Sequence, residues 1–167
     1  MAKPEPCLTE LLPQEAIASI DHWISKYPPG RQQSAVMAAL TIAQDHHGWL
    51  TEKLMNGIAD YLKMPRIAVY EVASFYSMYH LEPVGKHVIS VCTNVSCMLC
   101  GSDSVVEHLS KRLGVKLGQT TSDSLITLKE VECLGACGGA PMLEVDKQYH
   151  ENLTEQKIDE ILAGLEK

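Results

Sequence analysis

The sequence has no excess of basic charge: 14 Lys and Arg stand against 21 Asp and Glu, a formal net charge of −7. Neutralising a phosphate backbone needs clustered Lys and Arg, so this balance excludes nucleic acid as the partner. Long apolar runs are missing too. The plainest one, Ala35 to Ala43, is too short and too interrupted to cross a bilayer, so no direct membrane insertion is predicted. The first ten residues, MAKPEPCLTE, contain no apolar core and predict no signal peptide, hence a soluble, cytoplasmic chain. There is no Gly-x-Gly-x-x-Gly stretch, so neither NAD nor FMN is expected on this chain. The acidic residues form no pair suited to acid–base catalysis, and no catalytic residue is nominated. Internal repeats and low-complexity segments are absent as well.

What the sequence does have is cysteine, six in 167 residues. Five fall in two tight groups: Cys92, Cys97 and Cys100 in VISVCTNVSCMLC, and Cys133 and Cys137 in VECLGACGGAPM. Each group follows a strand-like apolar run and is bordered by small residues. In a reducing cytosol, cysteines spaced this closely are metal ligands or redox groups more often than structural disulfides. Gly135, Gly138 and Gly139 would let backbone N–H groups approach a metal centre closely. Cys7 stands apart in a Pro-rich stretch and reads as an incidental free thiol.

Spacing alone leaves three chemistries open. Cys92-x4-Cys97-x2-Cys100 reproduces plant-type ferredoxin spacing, which needs only one further cysteine. Cys97-x2-Cys100 between a strand and a helix also reads as a thiol–disulfide oxidoreductase motif. Four thiolates on a structural zinc are the third reading.

Apolar composition of 46% with 21% charged residues predicts a globular chain, long enough for two small domains. Residues 1–12 read as a flexible tail. Residues 13–80 read as a small helical bundle of four helices. The first, from Pro13, carries Ile17, Ile20, Trp23 and Ile24 at helical spacing; the second runs from Gln32 to His47-Gly48. Thr51 caps the third, and Pro65 opens a fourth with Val69, Val72, Phe75 and Tyr76 inward. His46 and His47 suit the negative end of a helix dipole better than a metal. Trp49 and Tyr79, like Phe75 and Tyr76, suit a core or a subunit interface. Residues 81–86 form a connector. Residues 87–167 then read as strand His87–Val91, helix Ser102–Leu113, strand Leu125–Leu128, a hairpin turning at Asp146-Lys147, and a helix capped by Thr154. The fold class is α+β: a helical bundle followed by an α/β domain.

HVISVCTNVSC followed by VECLGACGGAPM resembles the thioredoxin-like [2Fe–2S] ferredoxin family, which includes the E subunit of NADH:quinone oxidoreductase, respiratory complex I. The likeness extends to GWL at Gly48–Leu50, VASFYSMY at Val72–Tyr79 and PVGKH at Pro83–His87. It implies a thioredoxin-like second domain holding one [2Fe–2S] cluster on Cys92, Cys97, Cys133 and Cys137, with Cys100 left as an extra thiol. It implies a one-electron carrier that exchanges electrons with the FMN of an NADH-oxidising flavoprotein subunit, FMN and NAD both lying on that partner. A large iron–sulfur subunit would be the second partner, and the complex would hold the chain at the inner face of the cell membrane. The same module in an NAD(P)-linked hydrogenase or formate dehydrogenase is the alternative setting.

Overall fold

The structure, a computed structural model, describes residues 6–165 and divides into two compact units between Pro83 and Val84. Residues 1–5 of the expected tail and 166–167 of the expected second domain lie outside the described residues.

The first unit is helical: α1 (Leu8–Leu11), α2 (Gln14–Ser25), a 3-10 turn (Gln32–Ala35) leading into α3 (Val36–His47), α4 (Glu52–Leu62) and α5 (Arg66–Phe75). Its boundaries follow local chemistry. Pro13 sits at the N-cap of α2. Gly48, at φ 88°, ends α3 with its N–H on the Gln44 carbonyl at 2.7 Å. Thr51 Oγ1 accepts the Leu54 N–H at 3.1 Å and so caps α4. Such a cap contributes about 1 kcal/mol, whereas removing a buried leucine costs about 2–5 kcal/mol. The unit is therefore held mainly by its core, where Ile20, Leu40, Leu50, Leu54, Ile58 and Leu62 are fully buried. Gln44 fastens the segment after α5 to α3, donating to the Met78 carbonyl at 2.9 Å and accepting from the His80 N–H at 2.7 Å.

Two expectations fail here. Leu8–Leu12 is no frayed tail: Leu8 and Leu12 are buried, and Leu8 and Leu11 lie 3.4–3.5 Å from where a Cβ on Gly57 would stand. Pro4 and Pro6 masked a short apolar turn, LTELL, that uses the gap a glycine leaves in α4. Phe75 and Tyr76 do not point inward; they are 79% and 39% exposed. Val69 and Ala73, four residues apart, take the core face of α5, which puts Phe75 on another face, and Tyr76 is already extended.

The second unit holds β1 (His87–Cys92), α6 (Val95–Leu99), α7 (Ser102–Leu113), β2 (Gln119–Thr120), β3 (Ile126–Val131), a 3-10 turn (Cys137–Gly139), β4 (Leu143–Val145), β5 (Gln148–His150) and α8 (Glu155–Leu165). The sheet order is β2-β3-β1-β4-β5. β1 and β3 are parallel and in register, His87 opposite Ile126 and Cys92 opposite Val131; the other pairings are antiparallel. Ile89, Val91, Leu109, Leu128, Leu143 and Ile158 form the core. Where the chain enters β1, a Cβ on Gly85 would stand 2.9 Å from the Ile126 backbone, and the Gly85 N–H is donated to Thr127 Oγ1 at 2.7 Å. Only glycine fits that approach. The fold is α+β, as the sequence implied.

Register fixes where the cysteines go. Two adjacent parallel strands that start level also end level, so the loops leaving β1 and β3 open at one edge of the sheet. Those are the two cysteine loops.

Candidate metal centre

Cys92 is the last residue of β1. Its N–H is donated to the Met142 carbonyl at 3.3 Å, and the Thr93 N–H reaches the Val131 carbonyl at 3.2 Å, so the strand ladders run up to the loop mouths. Asn94 then caps α6, accepting the Val95 N–H at 2.8 Å, and α6 carries Cys97. Cys92 and Cys97 are both buried, packed with Met142 and with partly buried Leu134, Ala136 and Ala140. Cys133 and Cys137 ride on the loop after β3 and are exposed. That loop is tied down by Tyr149, whose hydroxyl donates to the Leu134 carbonyl at 2.8 Å.

The sulfurs face backbone donors and one another. Burial opposes ionisation of Cys92, yet hydrogen bonds from the Asn94 and Leu134 N–H groups, with side-chain bonds to Cys97 and Cys133, hold its thiol below the ordinary value. Cys97 is pushed up to about 11, first by burial and then by its bond to Cys92. The Met142 N–H opposes that rise, and nearby Cys92 and Cys137 add to it. Gly135, at φ 77°, turns its N–H onto Cys133 Sγ at 3.4 Å.

Cys92, Cys97 and Cys133 are thus directly linked, and Cys137 lies near enough to Cys97 to act on its charge. Cys100 is exposed at the C-cap of α6 and does not enter the sulfur contacts described for Cys92 and Cys97. Cys7 is exposed in the helical unit beside Thr9. Among the described residues, no three His, Cys, Asp or Glu side chains converge as they would around one metal ion. The thiols are neighbours spread over two loops, met by inward-turned amides. That donor set fits a thiolate-bound centre, whose negative charge needs N–H dipoles around it.

Two features escaped the sequence. Helix α6 lies where only loop was expected; the signal was Asn94, a good N-cap, ahead of VSCML. The N–H donors of Asn94, Leu134 and Met142 carry no residue-type signal at all, since any non-proline residue supplies one. Of the three glycines expected to admit amides, Gly135 does so, whereas the tight space at Gly139 faces the Glu151 side chain, 2.6 Å from a built Cβ.

A match to the thioredoxin-like [2Fe-2S] ferredoxin family spans residues 20–166. The chain belongs to that family. It is 46% identical over 140 residues to an E subunit (the one numbered 2) of the NADH-quinone oxidoreductase of Rhizobium meliloti (strain 1021), covering 84% of this chain and 82% of the relative. It is 45% identical over 140 residues to the E subunit of the NADH-quinone oxidoreductase of Rickettsia felis, covering 83% and 84%. Among solved structures, an NAD+-reducing [NiFe]-hydrogenase in the H2-reduced state aligns with a TM-score of 0.69 at 21% identity. That alignment covers 78% of this chain and 22% of the hydrogenase chain, a likeness of fold.

Proposed function

We propose that this chain is the E subunit of an NADH-quinone oxidoreductase and carries one [2Fe–2S] cluster on Cys92, Cys97, Cys133 and Cys137. The observation that carries the reading is positional. Two cysteine loops leave the same edge of two adjacent, in-register strands, in a member of a family named for that cluster. When bound, the cluster supplies a one-electron couple. The residues of this chain do the rest. β1 and α6 fix two thiols before any iron arrives, and Met142 and Leu134 cover them against water. The N–H groups of Asn94, Leu134, Gly135 and Met142 stabilise the thiolate form that metal binding requires.

The parent complex is read from the relatives that match over most of both chains, both subunits of NADH-quinone oxidoreductases; the hydrogenase likeness is one of fold alone. The partner is then the flavoprotein subunit holding FMN, with the large iron–sulfur subunit beside it. Among the described residues no helix is long and apolar enough to cross a membrane, so attachment at the inner face of the cell membrane would run through those partners.

Protein purified without oxygen should be red-brown, hold about two iron and two sulfide per chain, and give an S = 1/2 EPR signal on reduction. NADH should produce that signal only when the flavoprotein subunit is added. A colourless protein, or one holding a single zinc, contradicts the reading.

A further inference from the structure

Helix α7 buries one face: Ser102, Val105 and Leu109, spaced three and four residues apart. Val105 and Leu109 pack in the core with Ile89 and Val91 of β1. Ser102 is the first residue of that face and is 1% exposed. Its place along the sheet follows from the chain. α6 carries Cys97, and the Gly101 N–H is donated to the Met98 carbonyl at 3.0 Å, so α7 starts where α6 ends. A few residues past the other end of α7, β2 pairs with Thr127 and Leu128 near the start of β3. α7 therefore runs from the cysteine edge of the sheet to the opposite edge, and Ser102 stands at the cysteine edge.

That position asks for an apolar side chain. Of the two buried polar side chains among the described residues, Thr127 is well satisfied. Its hydroxyl accepts the Gly85 N–H at 2.7 Å and shares a hydrogen bond with the Thr120 hydroxyl at 2.8 Å. The Ser102 hydroxyl is the one buried side-chain oxygen or nitrogen without a hydrogen-bond partner among the described residues. A serine in a helix commonly bonds to a backbone group one turn away, and this one does not. Burying a hydroxyl without an acceptor is costly, and alanine would take the same place without that cost. The acceptors at this edge belong to the sulfur centre. Thiolates and sulfides take hydrogen bonds, and the positive N-terminal end of the 12-residue α7 favours negative charge beside it.

We infer that the Ser102 hydroxyl donates a hydrogen bond to a sulfur of the bound [2Fe–2S] cluster, a thiolate or a sulfide, and thereby raises its reduction potential. This rests on the proposed function, which puts the cluster on the cysteines of this edge. Reduction adds one negative charge, so a donor stabilises the reduced form more than the oxidised one. Ser102 is thus a tuning residue and not a ligand. It sets how readily the electron is taken up and leaves the iron content alone.

The test uses the full-length, cluster-loaded chain in a redox titration followed by EPR. Ser102→Ala should keep its full iron content, while its equilibrium constant for reduction falls about tenfold, about 59 mV for one electron. Ser102→Thr keeps the hydroxyl and should restore the wild-type potential. Ser104→Ala, at an exposed position two residues on, should leave the potential unchanged. Pulsed EPR of the reduced wild type should show one proton coupling, removed by D2O, that Ser102→Ala lacks. A wild-type potential in Ser102→Ala overturns the inference and leaves the proposed function standing. A lowered potential with every exchangeable coupling retained also overturns it, because the shift then comes from repacking. A wild-type chain that takes up no [2Fe–2S] cluster refutes the proposed function, and this inference with it.

Discussion

The loop after β1 holds its thiols between two regular elements, a strand end at Cys92 and a helix at Cys97, and buries both. The loop after β3 carries Cys133 and Cys137 on irregular backbone, exposed, with one 3-10 turn and the Tyr149 bond to steady it. One half of the site is set by the fold core, the other by a few local contacts. A rigid half fixes ligand geometry, and a looser half lets the centre be assembled. Substitutions should therefore act differently on the two loops although the proposed ligand set treats the four thiols alike.

Replacing a thiol should have the largest effect and show that difference. Cys97→Ser should lose most of its iron, because α6 cannot move a shorter side chain toward the metal. Cys137→Ser should keep a reduced complement of iron with an altered EPR signal, because its loop can follow. Iron and sulfide assays on the two variants check this; equal losses would remove the rigid–loose distinction.

Gly135→Ala should come next. A Cβ there meets no atom within 4 Å, so the harm comes from φ 77° alone, a strain of about 1 kcal/mol. Relief of that strain would turn the N–H away from Cys133. Iron retention against a chelator should shorten severalfold, while the melting temperature of the helical unit should stay put.

Legibility in the sequence followed the same divide. Helix Ser102–Leu113, the strand starting at His87 (one residue short at its far end) and the hairpin at Asp146-Lys147 were all readable, because period and turn chemistry specify them within a few residues. β2 was not readable: two residues, Gln119 and Thr120, form a strand only because β3 lies beside them. α1 was missed because its burial depends on Gly57, nearly fifty residues on. At the site, the spacing of cysteines named the candidates, but which of Cys100 and the β3 loop faces Cys92 is a matter of register. Register is a property of strand pairs, not of either strand read alone.

Tyr149→Phe should have a smaller effect still. It removes one hydroxyl from the Leu134 carbonyl, a bond of about 1 kcal/mol, and should speed iron loss only a fewfold. Cys92 and Cys97, held by strand and helix, should keep their places in that variant.

The smallest effect belongs to the helical unit and is seen only at high pH. Tyr61 donates to Asp21 at 2.6 Å, and burial together with that bond pushes its phenol up to about 12. A raised phenol contributes stability that is full below its unfolded value near 10 and is lost as pH climbs through about 12. Thermal melts should therefore show wild type above Tyr61→Phe at pH 8, with the gap closing between pH 10 and 12. A gap that widened there would reverse the assignment.

The central claim is the ligand set, and Cys100 tests it most directly, since it stands three residues from Cys97 yet outside the contacts described for Cys92 and Cys97. Iron content and the reduced EPR spectrum of Cys100→Ala and Cys137→Ala, prepared side by side, decide the matter. The account predicts full iron and a near-native signal in Cys100→Ala, and loss of both in Cys137→Ala. Iron loss in Cys100→Ala with Cys137→Ala unchanged would contradict it.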